Sequence, residues 1–394
     1  MALRTGKRIL ATDEPPIGAM QRIVGETLGP GASYFNMAQG QVWWMPPAEI
    51  LKVVVEQYGG DVSIFSYGPC PGLPELRDAV KEKLRKENGL TDREVIITAG
   101  CNQAFFNVVA AVCDEGDEIV LFKPYYFDAK MAAQILGCTP VLGECNTDMT
   151  PNIHRIPFSP LTRAVCAISP NNPSGVVIPA EDLQAMADMC KARGIWFVCD
   201  ETYELFTYED AKHRSPQGPN VINLFSFSKA FGIAGWRVGY IAYPNTPEGQ
   251  ELGRALLKVQ DTVPICASQI GQRIAHTCLT QLGSAWCHEH IAEVEPSRER
   301  VKQALGSLVY AGGKGALYYF VKLPEKWQDD WQFARWLIKN HRVLVVPGSA
   351  FGAPGYFRIS FANLPPSVVD AAVKNLNMAV AELTSSSQPP WLET

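Results

Sequence analysis

Between residues 94 and 242 the chain repeats one pattern. A short, almost unbroken apolar run is followed by a longer stretch in which apolar positions recur at helical spacing. The runs fall at 94–98, 118–122, 139–143, 163–168, 194–199, 221–226 and 238–242, and helical spacing is clear at 103–113, 127–137 and 180–193. Strands with no polar alternation must be covered on both faces, which is the signature of a largely parallel sheet between two layers of helices. The pattern therefore predicts an α/β domain of three layers, α/β/α, around a mostly parallel seven-stranded sheet.

The flanks read differently. The first 35 or so residues, with "DEPPIGAMQRIVGETLGPGAS", have the Pro and Gly punctuation of an arm. Residues 246–310 predict two or three long helices. Residues 315–384 mix strands ("GALYYFVKL", "VLVVPG", "FRISFA") with helices at 328–340 and 365–383. The expected organisation is an arm that joins a smaller domain (1–45), a large domain (46–265), a smaller α+β domain (266–384) and a flexible tail (385–394).

Composition narrows the partners. A formal charge of −5 over 394 residues gives no footprint for nucleic acid or an anionic membrane surface. No apolar run approaches the ~20 residues of a bilayer span. The start, "MALRTGKRILATDEPP", lacks the apolar core of a secretory signal, while organelle targeting stays open. Eleven cysteines, odd in number and without a CxxC pair, indicate a reduced, cytoplasmic protein. "CHEH" (287–290) crowds its ligand-type residues on one probable helix, so no metal site is expected there.

One lysine stands out in "LFSFSKAFGIAGWRVGY" (224–240), because an amine in apolar surroundings is easily neutralised. Lys229 alone could simply extend its amine to solvent. Ser226 and Arg237 beside it are a hydroxyl and a guanidinium suited to a phosphate, and Gly235 and Gly239 permit close backbone approach. Amine and phosphate site together point to pyridoxal phosphate. Such a cofactor needs a carboxylate for its ring nitrogen, and Asp200 ends a buried strand, although a helix N-cap would use the same residue. Asn172 in "ISPNNPSG" could turn an amide to the same crevice or merely form a turn. "ITAGCNQAFF" runs from strand through Gly to helix, so the backbone N–H groups of Cys101 and Asn102 could receive the phosphate. Tyr126 could lie over a ring or pack in the core.

These segments, in this order and spacing, resemble the fold type I (class I/II) pyridoxal-phosphate aminotransferases over essentially the whole chain. "SPNNPSG" is similar to the family's Asn-Pro-Xaa-Asn-Pro-Thr-Gly motif, with Ser169 and Ser174 as departures. The resemblance implies that Lys229 forms the Schiff base and shuttles the proton, with Asp200 on the pyridine nitrogen and Asn172 and Tyr203 on the ring oxygen. It places Tyr126 against the ring, and Cys101, Asn102, Ser226 and Arg237 around the phosphate. Tyr67 in "SYGPCPGLPELRDAV" is implied to reach the phosphate in the partner subunit of a homodimer. Arg358 in "GYFRISFA" is implied to clamp the substrate carboxylate, with Gly40 in the loop that closes over it.

The detailed wording is most similar to plant-type aromatic and methionine aminotransferases and the kynurenine aminotransferase group. The resemblance implies a ping-pong transfer of an amino group between such an amino acid and a 2-oxo acid. Trp43 and Trp44 could add an aromatic wall for the substrate, or anchor the arm. Two other readings stand beside transamination. One is a lyase on the same scaffold, acting on cysteine conjugates or closing 1-aminocyclopropane-1-carboxylate; the other is a non-catalytic cofactor-binding module.

Overall fold

The computed structural model describes residues 4–386 and 388–389. Seven strands form the central sheet: β1 (Arg93–Thr98), β2 (Glu118–Phe122), β3 (Thr139–Gly143), β4 (Thr162–Ile168), β5 (Trp196–Asp200), β6 (Val221–Ser226) and β7 (Gly239–Pro244). Their order across the sheet is β1-β7-β6-β5-β4-β2-β3. Six run the same way, and β7 lies antiparallel to both β6 and β1. The exception has a simple cause. The segment from Ser226 to Gly239 holds one short turn of helix, Ala234–Trp236, and no crossover helix. The chain therefore folds straight back along β6, pairing Ser226 with Gly239.

The unbroken apolar runs resolve into two faces. Ala164, Cys166, Ile168 and Val198 pack with the helices Cys101–Val112, Phe127–Leu136 and Pro247–Thr262. Val165, Ala167, Phe197 and Cys199 pack with the helix Ala180–Lys191 on the other side. Residues alternate sides along a strand, so Asp200 leaves the sheet on the side of Val198, towards the helix that starts at Cys101.

The second unit is a four-stranded antiparallel sheet of β8 (Tyr310–Gly312), β9 (Tyr318–Lys322), β10 (Val346–Pro347) and β11 (Tyr356–Ser360), in the order β10-β11-β9-β8. The helices Asp330–His341 and Pro366–Ser385 cover it. The arm joins this unit, since Phe35–Asn36 pairs with Val343–Leu344 and the Ser360 N–H donates to the Met37 carbonyl at 2.8 Å. The helix Gln269–Thr277 packs on Ala48–Tyr58 and Pro74–Lys83. The helix Glu295–Leu305 lies along Pro366–Ser385. That last helix continues to Ser385; of the expected tail, residues 387 and 390–394 lie outside the described residues. Among the described residues, no helix is long and apolar enough to cross a membrane.

Candidate active site

A cavity of about 220 Å³ opens at the carboxyl ends of the parallel strands, where ligands of α/β sheets sit. Its floor begins where β1 turns through Gly100, at φ +87°, into the helix Cys101–Val112. The first N–H groups of that helix have no partner within it and carry the positive end of its dipole. Arg237 faces the same turn: its Nη1 donates to Ala234 O at 2.9 Å and its Nη2 to Ala99 O at 3.3 Å. Arg237 holds a left-handed backbone, φ +53°, a strained state for a non-glycine residue that marks an over-determined position. Space here is tight. A Cβ on Gly100 would lie 2.2 Å from Arg237 Nη2, and one on Gly239 would lie 2.8 Å from three backbone atoms. Gly235 differs: it is exposed, with nothing within 4 Å, so close approach belongs to Gly239 alone of that pair.

Asp200 is the last residue of β5. One of its oxygens, Oδ1, accepts from the Thr202 N–H at 3.0 Å and from the Cys101 thiol at 3.5 Å. Burial raises its pKa, opposed by those hydrogen bonds. Lys229 is half-buried and donates from Nζ to the Gly40 carbonyl at 2.6 Å. Burial, and then the positive charges of Arg237 and Arg358, lower its pKa to about 8. Ser226 Oγ accepts from the Ser228 N–H at 3.1 Å.

Arg358, on β11, is buried at 2 % exposure, and no carboxylate pairs with it among the described residues. Its Nη1 donates to Asn172 Oδ1 at 2.6 Å, its Nη2 donates to the Ala38 carbonyl, and its Nε has no partner. Its guanidinium lies 4.3 Å from the centre of the Tyr318 ring. The hydroxyls of Tyr318 and Tyr203 are hydrogen-bonded at 2.6 Å. Gly40 fits beneath them because a Cβ there would meet the Tyr318 hydroxyl at 2.0 Å.

The structure thus brings Gly40, Cys101, Asn102, Tyr126, Asn172, Asp200, Tyr203, Ser226, Lys229, Arg237 and Arg358 to one cavity. Tyr126 and Asn102 are joined through Asp128, which accepts from the tyrosine hydroxyl at 2.6 Å and from the asparagine amide at 2.9 Å. Two expected residues lie elsewhere. Tyr67 is 79 % exposed and does not reach the cavity of its own chain. Trp44 is buried behind the lysine rather than in the cavity wall: its indole N–H donates to Ala230 O at 3.2 Å and its ring stacks on Phe206. The arm-anchoring alternative describes that position. Sequence reasoning missed Ile17, Gln39, Phe127, Ile168, Thr202, Ser228 and Tyr318, which also line the cavity. Thr202 and Ser228 sit beside residues already singled out. Tyr318 and Ile17 carry no local signal, since one reads as a sheet residue and the other as part of an arm.

The donor set fits pyridoxal phosphate. A helix start, a guanidinium and two serine hydroxyls serve a phosphate; a buried carboxylate serves a ring nitrogen; a weakly basic amine serves an aldehyde. The unpartnered Arg358 Nε, in a cation already buried, suits a substrate carboxylate. Fold and site together define a pyridoxal-phosphate enzyme of fold type I.

Comparison with known proteins narrows the class. Residues 33–376 match the family model described as aminotransferase class I and II. The chain is 41 % identical over 388 residues to the aromatic aminotransferase ISS1 of Arabidopsis thaliana, covering 96 % of each. It is 33 % identical over 310 residues to the aspartate/prephenate aminotransferase of Thermus thermophilus, covering 75 % of this chain and 78 % of that one. Among solved structures, Thermus thermophilus aspartate aminotransferase with maleate superposes with a TM-score of 0.88 at 28 % identity, over 96 % of this chain and 100 % of the other. The aromatic aminotransferase from Pyrococcus horikoshii gives 0.82 at 28 %, over 92 % and 99 %. The chain belongs to the class I and II aminotransferase family, and it is a pyridoxal-phosphate-dependent aminotransferase.

Proposed function

We propose that the amino donor is an aromatic amino acid or methionine, exchanged with a 2-oxo acid in a ping-pong cycle. One observation carries the reading. The cavity is lined by three cations of this chain, and each is already committed: Lys229 to the aldehyde, Arg237 to the phosphate and Arg358 to the α-carboxylate. The rest of the lining is mixed, with Ile17, Tyr126, Phe127, Ile168 and Tyr318 as its apolar and aromatic part and no further cation, so a side-chain carboxylate would enter without a partner cation of this chain. The likeness to an aromatic aminotransferase over nearly the full length supports the same choice.

Bound pyridoxal phosphate supplies an aldehyde that condenses with amines and a ring that takes up the electron pair released at Cα. The residues of the chain do the rest. Arg358 and Asn172 hold the carboxylate and so decide which bond at Cα is presented. Lys229, with its lowered pKa, is a base suited to neutral pH and takes and returns the Cα proton. Asp200 keeps the pyridine nitrogen protonated, Tyr203 with Asn172 serves the ring oxygen, and Tyr126 covers the ring. The Cys101 and Asn102 amides, Ser226 and Arg237 hold the phosphate, and Gly40 closes over the substrate.

Dimerisation belongs to the same proposal. Val62, Phe65 and Tyr67 are 80, 85 and 79 % exposed on one short segment, an apolar surface suited to a second copy whose site Tyr67 would complete. Eleven cysteines, odd in number and without a CxxC pair, support a reducing, cytoplasmic setting.

The test is a screen of Phe, Tyr, Trp and Met against Asp, Glu and Gln with several 2-oxo acids. Aromatic donors and methionine should give the highest kcat/KM, and a preference for Asp or Glu would overturn the assignment. Product formation without any 2-oxo acid would favour the lyase alternative.

A further inference from the structure

Tyr126 borders two cavities. Besides the one at the strand ends it lines a second, of about 180 Å³, whose apolar part is Phe105, Phe106, Met131, Ala132 and Ile135. Packing alone holds such a ring loosely, since contact atoms are missing wherever a cavity lies. Its aromatic neighbour Phe127 lies 4.9 Å away but tilted by 46°. The hydroxyl, by contrast, is anchored: it donates to Asp128 Oδ2 at 2.6 Å. The same oxygen accepts from the Asn102 side-chain amide at 2.9 Å. Asn102 stands in the first turn of the helix Cys101–Val112 and Asp128 in the first turn of Phe127–Leu136, where the positive end of the helix dipole favours a carboxylate. Burial, and then the charge of Asp128, raise the pKa of Tyr126, so its hydroxyl keeps its proton and remains the donor.

We propose that Asp128 is a positioning residue: it tethers Tyr126 by the hydroxyl and so holds the ring in place over pyridoxal phosphate. The inference rests on the reading above in which Tyr126 covers the cofactor ring. Asp128 does not line the first cavity, so it acts through Tyr126 rather than on the cofactor. Stacking needs the two ring planes held at contact distance and in register. The backbone fixes one end of the Tyr126 side chain and Asp128 fixes the other, which leaves the ring plane little freedom. Without the tether, the second cavity gives the ring somewhere to tip. A hydroxyl bonded to a carboxylate at this distance is charge-assisted and stronger than a neutral pair. Asn102 shares the same oxygen, so the tether also joins the ring cover to the helix start whose amides face the phosphate. A phenylalanine could stack at this position, but it could not be held in this way.

The test compares the holoenzymes of Tyr126→Phe, Asp128→Ala, Asp128→Asn and the double variant Tyr126→Phe with Asp128→Ala. The readings are equilibrium release of pyridoxal phosphate and the absorbance band of the bound cofactor. Tyr126→Phe and Asp128→Ala should each weaken cofactor binding roughly 10-fold, the lower range for a hydrogen bond to a charged group, and move the band the same way. The double variant should lose no more than the larger single loss, because both changes cut one bond. Asp128→Asn should keep most of the affinity, since its amide oxygen still accepts from the tyrosine. Additive losses, an unchanged Asp128→Ala, or an Asp128→Asn as weak as Asp128→Ala would each overturn the tether. Wild-type affinity and band in Tyr126→Phe would overturn it even if Asp128→Ala did not fold. Tyr126→Ala separates the two readings. If it binds the cofactor like wild type, the ring does not cover the cofactor and both readings fall; if it loses affinity while Asp128→Ala does not, only the tether fails.

Discussion

Gly239 is the position at which one methyl group should separate folding and cofactor binding from everything else on the lysine segment. A Cβ there would stand 2.8 Å from Cys101 N, Gly100 C and Phe225 O, all backbone atoms that cannot rotate away. Relief needs roughly half an ångström of movement between β7 and the helix start, in a region packed like a crystal. Forcing a methyl into such a place costs about 1–3 kcal/mol. The movement also carries the Cys101 amide off its position. A hydrogen bond to a charged group is worth about 1.5–3 kcal/mol, so pyridoxal phosphate should bind roughly 10–150-fold more weakly at 1.4 kcal/mol per decade. The assays are thermal unfolding of the cofactor-free protein and an equilibrium titration with pyridoxal phosphate followed by absorbance. Gly235→Ala is the internal control: nothing lies within 4 Å of the added methyl, so both readings should match wild type. A Gly239→Ala protein with unchanged Tm and affinity would refute the packing argument, and so would an equal loss in Gly235→Ala.

Two more outcomes are expected. The folded-state pKa of Lys229, about 8, lies below the ordinary lysine value of 10.5, so the unfolded chain binds more protons between those values. Stability of the cofactor-free protein should therefore gain from this group as pH rises from 8 to 10.5, and denaturant titrations should find that gain missing in Lys229→Met. Arg358→Gln removes the fork from the substrate carboxylate and should lower kcat/KM for amino donors roughly 10–150-fold. Affinity for pyridoxal phosphate should change little, so a matching loss of cofactor would show that Arg358 holds the fold rather than the substrate.

Much of the architecture was legible because burial on both faces leaves a strand with no polar alternation. Each of the seven apolar runs is a strand of the central sheet, and their boundaries shift by no more than a few residues. Direction was less legible. The run at 238–242 looks like its neighbours, and only the missing crossover helix makes β7 antiparallel. Most cavity residues found in sequence sit at a strand end, a helix start or a tight turn with unusual local chemistry; Arg358, in the middle of β11, is the exception. Tyr318 shows the limit. Its hydroxyl meets Tyr203 across 115 positions of chain, and nothing beside it in "GALYYFVKL" distinguishes it from its packed neighbours. Trp44 shows the same limit from the other side: its place beside the loop allowed either a substrate wall or an arm anchor, and its indole N–H donates to the Ala230 carbonyl.

Periodicity and close-spaced motifs are local properties, so the order of residues alone was enough for the layered α/β design, the class of cofactor and most of the residues that line the cavity. Three further facts came from the folded chain: Arg358 is a buried cation with a free Nε, Lys229 is held by Gly40, and Gly239 is tight where Gly235 is open. Each depends on distances between segments far apart in the chain. Burial, charge spacing and steric contact are set by how sheets and helices pack, and a linear pattern does not carry them.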